Sequence, residues 1–267
     1  MPSLDLLTIG DVKLDTFVVL DDATVQCQLK MPECQLCLDY GGKIVVDVVD
    51  SQMAGSAANV AVGLARLNKK TAVSTVMGKD STRGLTFERL KEEWVATNLI
   101  ETANVQSGYS VVLNFKGDRT ILTSHVKHVY HLPRPLPKTT WIYLCELGEG
   151  YVKLYQSLAA LPTSRRPRIA CNPGTVQLKE RAHAFLHLLK ITNILFINVE
   201  EARMLTHEHA AESHQLLLSL HKLGPQTIVM TDGERGAFAF DGTSLVRCPI
   251  FPAKRVEMTG AGDDFAT

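Results

Sequence analysis

The chain has 267 residues, of which 45% are hydrophobic and 21% charged, and its 28 acidic side chains balance its 28 basic ones. This length accommodates one large α/β domain with a small appendage. A net charge of zero gives nucleic acid or an anionic membrane no electrostatic reason to bind. The sequence shows no signal peptide and no apolar run near the ~18 residues of a membrane span, so we expect a cytoplasmic protein.

Short apolar runs alternate with segments of helical periodicity along most of the chain. The runs that predict strands are 4–9, 71–77, 141–144, 169–171, 194–197 and 227–230. The segments that predict helices are 56–67, 81–94, 151–161, 178–189, 200–205 and 210–223. Near the C-terminus, Asp241-Gly242 predicts a hairpin between 237–240 and 245–248. This alternation is typical of a three-layer α/β/α fold with a mainly parallel central sheet.

Two segments interrupt the alternation. Residues 12–52 contain no convincing helix, and residues 108–123 have the pattern of a hairpin. The two segments could pair into one small antiparallel sheet that projects from the core as a lid over an active site. Two edge hairpins without a lid role are the alternative. We expect a core of residues 1–11, 53–106 and 124–267 and a β lid of residues 12–52 and 107–123.

The run Gly260-Ala261-Gly262-Asp263 has the composition of a phosphoryl-transfer site. Small residues let the backbone approach another group closely. If a helix begins here, its free N–H groups form an anion site, and an Asp in its first turn could accept a proton from an attacking hydroxyl. On its own the run is equally compatible with an ordinary turn.

Four motifs in the chain together resemble the ribokinase, or PfkB, family of carbohydrate kinases. Residues 257–265 are similar to the family signature D/E-x-T-G-A-G-D-x-F. Residues 54–59 resemble its Gly-Gly-x-x-x-Asn motif, with Ala54 in place of the first glycine. Residues 198–201 resemble N-x-x-E, and residues 231–236 resemble T-x-G-x-x-G. The resemblance implies a ribokinase-like core with a small β-sheet lid.

The resemblance also implies roles for individual residues. Asp263 is expected to be the catalytic base, with Gly260, Ala261 and Gly262 as the anion hole. The residues expected to bind the substrate are Asp15, Gly55, Asn59, Asn114, Arg119 and Glu146, with Asp11 as the fallback for Asp15. The residues expected to border the nucleotide are Asn198, Thr231, Asp232, Gly233 and Gly236. Glu201 is expected to hold Mg²⁺ through water.

The implied cofactors are ATP and Mg²⁺, and a monovalent cation such as K⁺ is compatible with the resemblance. The implied partners are a small sugar and ATP, with no nucleic acid and no membrane, and a homodimer through the lid strands is compatible with the pattern. The family has a long helix after the G-A-G-D run, whereas the sequence given ends four residues after Asp263. Taken as complete, the chain is therefore expected to have weak or no kinase activity and poor stability.

The expected function is ATP-dependent phosphorylation of a hydroxyl of a ribose- or fructose-like sugar. A nucleoside kinase is the alternative within the same class, since the same motifs serve both. A non-catalytic sugar-binding or regulatory protein of the same fold is the alternative from a different class. A dinucleotide-binding protein is disfavoured, because no G-x-G-x-x-G follows the first strand.

Overall fold

The computed structural model describes residues 3–21, 23–26, 35–116, 118–252 and 260–267. The strands in chain order are β1 (Leu4–Ile9), β2 (Lys13–Leu20), β3 (Thr24–Gln26), β4 (Gln35–Cys37), β5 (Val46–Ala54), β6 (Thr71–Met77), β7 (Ala96–Thr102), β8 (Gly108–Phe115), β9 (Asp118–Ser124), β10 (Thr139–Leu144), β11 (Arg168–Cys171), β12 (Ile194–Asn198), β13 (Thr227–Thr231), β14 (Ala237–Phe240) and β15 (Leu245–Cys248). The α-helices are α1 (Ser56–Arg66), α2 (Ser81–Glu92), α3 (Val152–Ala159), α4 (Thr175–Glu180), α5 (His183–Leu189), α6 (Val199–Thr206), α7 (Ser213–Lys222) and α8 (Ala261–Ala266).

The large sheet has nine strands in the order β15-β14-β13-β12-β11-β10-β1-β6-β7. All pairings from β7 to β13 are parallel, and the hairpin β14-β15 completes the sheet with antiparallel pairings. Every residue of β6 is buried, as expected for a parallel strand with both faces covered. The prediction of a mainly parallel sheet is therefore confirmed.

Helices cover both faces of this sheet and form two hydrophobic clusters. On one face, Leu7 and Ile142 pack with buried residues of α3 and α5 such as Leu154 and Phe185. On the other face, Leu6 packs with the small buried residues of α1. Adjacent strand residues thus point to opposite faces, which gives the three-layer α/β/α architecture.

The small sheet has the strand order β5-β2-β8-β9. The expectation of purely antiparallel pairing is wrong at its centre, because β2 and β8 pair in parallel. The reason lies in the connections: β2 follows β1 and β8 follows β7, and both core strands run in the same direction. The outer pairs, β2-β5 and β8-β9, are antiparallel as expected.

Some predicted boundaries need correction. The helix predicted over 178–189 is two helices, because Arg181 has a left-handed φ of 46° that ends α4. The helix predicted to reach residue 94 ends at Glu92, and Trp94 has a φ of 60°. Strand β7 was not predicted, since its polar and half-exposed residues hide the apolar alternation. No helix among the described residues has the length and apolar character needed to cross a membrane.

Candidate active site

Polar residues follow the carboxyl ends of four parallel strands. Asp11 follows β1, Glu146 follows β10, Asn198 ends β12 and Thr231 ends β13. Parallel strands end at the same edge of a sheet, and α/β proteins bind their ligands outside this edge. The small sheet leaves the core at the same edge, so the candidate site lies between the two sheets.

Asp263 lies in the first turn of α8, against α1. Its Oδ2 accepts a hydrogen bond of 2.7 Å from Nδ2 of Asn59, one turn into α1. Ser56, the first residue of α1, also hydrogen-bonds the carboxylate. Burial raises the pKa of Asp263 above its ordinary value, and these two hydrogen bonds limit the rise. Two predicted site residues from distant parts of the chain are thus in direct contact.

The residues predicted as the anion hole surround the start of α8. Gly260 has a left-handed φ of 79°, which glycine adopts without strain. Ala261 and Gly262 begin the helix and are exposed. A Cβ on Gly262 would meet no described atom within 4 Å. The backbone of this turn is therefore accessible, while the preceding residues of the motif, 257–259, lie outside the described residues.

A cleft of about 510 Å³ lies between the small sheet and α1, and Asp15, Asn59 and Gly260 line it. Asp15 on β2 is buried, and its Oδ1 has no hydrogen-bond partner among the described residues. Burial raises the pKa of Asp15, and a hydrogen bond from Ser110 on β8 opposes the rise. A buried carboxylate oxygen without a partner is costly unless a ligand satisfies it, so this cleft is the candidate acceptor site.

A larger cavity of about 630 Å³ lies elsewhere, over β1, β6 and β7 beside residues 130–134. It is lined partly by apolar residues such as Leu99 and Leu132, and it contains none of the predicted site residues. The smaller cleft is therefore the candidate acceptor site, because Asp15 and Asn59 line it and Asp263 contacts Asn59.

Gly55 connects the small sheet to α1 in a conformation that requires glycine. Its φ is 105°, and a Cβ at this position would lie 2.4 Å from the carbonyl oxygen of Asp11. The close approach packs the start of α1 against the end of β1. Gly55 therefore fixes the position of Asn59 relative to the carboxyl end of β1.

Glu146 is held by two residues that the sequence did not identify. Its Oε2 accepts a hydrogen bond of 2.9 Å from Nζ of Lys13 on β2. Its Oε1 lies 3.5 Å from Nε2 of His125, which follows β9. Nδ1 of His125 lies 2.9 Å from Oδ2 of Asp11, a residue that is 2% exposed. Glu146 is thus part of a charged network rather than an isolated acceptor.

One signal in the sequence could have marked Lys13 as a residue that needs a partner. Lys13 is a charged residue at the start of a strand that is otherwise largely apolar, and a buried charge is rare unless it is paired. Its partner Glu146 is 133 positions away, and His125 and Asp11 are separated by 114. No local pattern could have supplied these pairings.

Asn114 and Arg119 lie next to the turn of the small sheet, beyond the part of it that lines the cleft. They are opposite each other in the β8-β9 ladder, next to the turn. Asn114 is four residues beyond Ser110, about 13 Å along an extended strand. Neither residue lines the cleft in the described part of the chain. The structure therefore does not bring these two predicted substrate contacts together with Asp15 and Asn59.

Asn198 and Glu201 form a capping box at the start of α6. Oδ1 of Asn198 accepts from the backbone N–H of Glu201 at 2.8 Å, and Oε2 of Glu201 accepts from the backbone N–H of Asn198 at 3.0 Å. Burial raises the pKa of Glu201 to about 7, and the nearby charge of Glu146 adds to the rise. The motif therefore has a structural role.

The loop predicted to border the nucleotide is a tight turn after β13. Asp232 accepts hydrogen bonds from Nε and Nη2 of Arg235, at 2.8 and 2.7 Å, and from the hydroxyl of Ser213. Gly233 and Gly236 both have positive φ, of 51° and 88°. A Cβ on Gly236 would lie 2.1 Å from the carbonyl oxygen of Cys248. The carboxylate of Asp232 therefore fixes the loop rather than pointing to a ligand.

Comparison with solved structures identifies the class of fold. The ribokinase of Arabidopsis thaliana, solved with ribose and ATP, superposes with a TM-score of 0.76 at 20% identity, over 99% of this chain and 84% of that one. A nucleoside kinase of Methanocaldococcus jannaschii superposes with a TM-score of 0.74 at 19% identity, over 97% and 81%. The chain thus has a ribokinase-like fold.

The sequence then gives the family. The model of the "pfkB family carbohydrate kinase" matches residues 15–267, and the chain belongs to this family of phosphotransferases. A cytidine kinase of Thermococcus kodakarensis is 24% identical over 98% of this chain and 86% of its own length. A ribokinase of Mus musculus is 26% identical over 79% of this chain and 68% of its own length.

Proposed function

We propose that the protein transfers the γ-phosphoryl group of ATP to a hydroxyl of a sugar, with a ribose- or fructose-like polyol as the acceptor. The contact between Asp263 and Asn59 is the observation that supports this most strongly. It lies beside a cleft lined by Asp15, whose Oδ1 has no hydrogen-bond partner among the described residues. A base and an acceptor-binding carboxylate in this arrangement suit a polyol, whose adjacent hydroxyls can serve both.

In this proposal Asp263 is the general base. Its carboxylate takes the proton of the acceptor hydroxyl while the oxygen forms a bond to the γ-phosphorus. The bond between that phosphorus and the β-γ bridging oxygen breaks, and ADP leaves with the electron pair. The raised pKa of Asp263 makes it a stronger base than an exposed carboxylate. The backbone N–H groups of Gly260, Ala261 and Gly262 would stabilise the negative charge on the transferred group.

The acceptor would be held by Asp15 and Asn59, with Gly55 and Glu146 completing that side of the cleft. Asp15 would accept a hydrogen bond from one hydroxyl, and Asn59 would orient both the acceptor and the Asp263 carboxylate. Asn114 and Arg119 would act on the substrate only if the small sheet, acting as the lid, closes over the cleft. The assignment of residues 12–52 and 107–123 to a lid belongs to this proposal, as does a homodimer through its strands.

Glu201 and Asn198 would hold Mg²⁺ through water. They fit this role because burial leaves the Glu201 carboxylate poorly compensated, with Oε1 outside the capping box. When bound, Mg²⁺ neutralises charge on the ATP phosphates. Thr231, Asp232, Gly233 and Gly236 would border the nucleotide through the loop backbone. A monovalent cation such as K⁺ is compatible with this arrangement.

Two alternatives remain distinct from this proposal. Phosphorylation of a nucleoside is favoured by the similarity to a cytidine kinase and to a nucleoside kinase structure. A non-catalytic sugar-binding protein of the same fold needs no base, and the contact between Asp263 and Asn59 argues against it. A screen of ATP consumption against sugars and nucleosides separates the first alternative from the proposal.

The Asp263→Asn variant tests the role of the base. It keeps the size of the side chain but cannot accept the hydroxyl proton, so turnover should fall by about 10²-fold or more while acceptor affinity in calorimetry is largely kept. Asp47→Asn, at an exposed position of β5, is the matched control and should keep the parent's turnover. An Asp263→Asn protein with turnover near the parent's would remove Asp263 from this role.

A further inference from the structure

A continuous polar network crosses the boundary between the two sheets. On the core side it begins at Asp11, which accepts a hydrogen bond from the hydroxyl of Tyr130. Asp11 then contacts His125, and His125 faces Glu146. The backbone N–H of Asp11 also donates to the carbonyl oxygen of Glu146 at 2.9 Å, and Tyr130 accepts from the N–H of Gly148 at 3.2 Å. The core half of the network is therefore firmly positioned.

The network continues into the small sheet through Lys13. Nζ of Lys13 joins Glu146 at 2.9 Å to the hydroxyl of Thr123 on β9 at 3.3 Å. The hydroxyl oxygens of Thr123 and Ser110 lie 3.2 Å apart, within hydrogen-bond distance, and the Ser110 hydroxyl donates to Asp15. The orientation of Asp15 in the acceptor cleft is therefore connected, one hydrogen bond at a time, to Glu146.

His125 links the Asp11 side of this network to Glu146. It follows β9 directly, so it lies where the last strand of the small sheet returns to the core. Its two ring nitrogens face two different carboxylates, those of Asp11 and Glu146. An imidazolium donates from both nitrogens, whereas a neutral imidazole has one donor and one lone pair. Only the charged ring can hold both carboxylates at once.

We propose that His125 is a positioning residue of the acceptor site, which fixes Glu146 against Lys13 and ties the return of the small sheet to the core. The network orders the cleft through Glu146, Lys13 and Asp15. This inference rests on the proposed function for its link to the acceptor, but the tie between the sheets is independent of any activity.

The charge of His125 sets the pH range of this effect. The hydrogen bond to Asp11 raises the pKa of His125 most, burial opposes it, and the charges of Glu146 and Asp11 outweigh that of Lys13. These are the charged groups that face the ring from β1, β2 and β10. A histidine with a raised pKa stabilises the folded arrangement below its ordinary pKa, and this stabilisation is lost as the pH rises through the raised value.

Two substitutions separate the two nitrogens of the ring. In His125→Asn the amide lies where Nδ1 was and keeps a donor for Asp11, but it cannot reach Glu146. In His125→Gln the amide extends to the position of Nε2 and can donate to Glu146. His209→Asn, at an exposed position between α6 and α7, is the control. The positioning role predicts that His125→Asn raises the KM for the acceptor about tenfold with kcat nearly kept, and that His125→Gln recovers part of this loss.

Hydrogen exchange of the β8 and β9 amides tests the tie without any turnover. In the parent, protection corrected for intrinsic exchange should fall as the pH is raised between about pH 5 and pH 9, whereas in His125→Asn it should be low and independent of pH. Constant protection in the parent over this range, with equal protection in His125→Asn, would overturn the proposal. Equal KM values for both variants and the parent would overturn its acceptor part. If the parent phosphorylates no acceptor, the proposed function fails, while the exchange experiment still decides the role of His125.

Discussion

Removing the amide of Asn59 should weaken the base at low pH while leaving it intact at high pH. In the parent, Nδ2 of Asn59 donates to the ionised carboxylate of Asp263 at 2.7 Å. Burial already raises the pKa of Asp263. Two hydrogen bonds lower this pKa, and the one from Asn59 has the larger effect. Asn59→Ala therefore shifts the equilibrium of Asp263 further toward the protonated acid, which cannot accept a proton.

The size of this effect follows from the hydrogen bond that is lost. A hydrogen bond to a charged group contributes about 1.5–3 kcal/mol, and about 1.4 kcal/mol corresponds to a factor of ten in an equilibrium. On the acid limb of the pH profile, the ionised fraction of Asp263 and therefore kcat should fall about tenfold or more. On the alkaline plateau Asp263 is ionised in both proteins, so kcat should return to near the parent's value.

The assay is the pH dependence of kcat at saturating acceptor, measured by ATP consumption. Ser56→Ala removes the second hydrogen bond to Asp263 and should move the acid limb in the same direction. Asn104→Ala, at an exposed position of the loop before β8, is the control and should leave the profile unchanged.

An acid limb that stays at the same pH in Asn59→Ala would contradict this role of Asn59. If Asn59 acts only by binding the acceptor, Asn59→Ala raises the KM, and the profile of kcat keeps its midpoint. A loss of kcat that is equal at every pH would instead show that Asn59 contributes to the transition state by a route other than the ionisation of Asp263.

Two further predictions concern stability, measured as the free energy of unfolding in urea. Gly55→Ala should destabilise the fold by about 2 kcal/mol or more, because the Cβ would lie 2.4 Å from the carbonyl of Asp11, whereas Gly84→Ala, with open space in helix α2, should stabilise it by up to about 1 kcal/mol. Burial raises the pKa of Glu201 to about 7. Ionising this buried carboxylate therefore lowers the free energy of unfolding as the pH rises from the ordinary pKa of a glutamate to about 7. Glu201→Gln should therefore gain up to about 3 kcal/mol relative to the parent between about pH 5 and pH 8, and the exposed Glu200→Gln should gain nothing.

The sequence predicts the core of the fold well because its strands are defined locally. Buried parallel strands are continuous apolar runs, and the boundaries of β6 and of the β14-β15 hairpin agree with the pattern. Strand β7 escapes prediction because it lies at the edge of the sheet and alternates with polar residues. The break at Arg181 escapes prediction because neither glycine nor proline marks it.

The candidate site also has parts that the sequence predicts and parts that it does not. Short motifs mark Asp263, Asn59, Gly55 and Glu201, because each of them depends on the turn or helix start in which it lies. Pairings across the chain are different: the contact between Asp263 and Asn59 joins residues 204 positions apart. The ion pair of Lys13 is of the same kind, and only the folded chain reveals it.

The connections between the two sheets have a mechanical consequence. In the small sheet Lys13 pairs with Ala54 on one side and with Gly108 on the other, so three strands cross the boundary side by side. A sheet anchored along one line can swing about that line, but it cannot slide or twist freely. The displacement of any residue then grows with its distance from the line. Asn114 and Arg119, near the tip, would travel far, whereas Asp15, two residues from the line, would stay almost still.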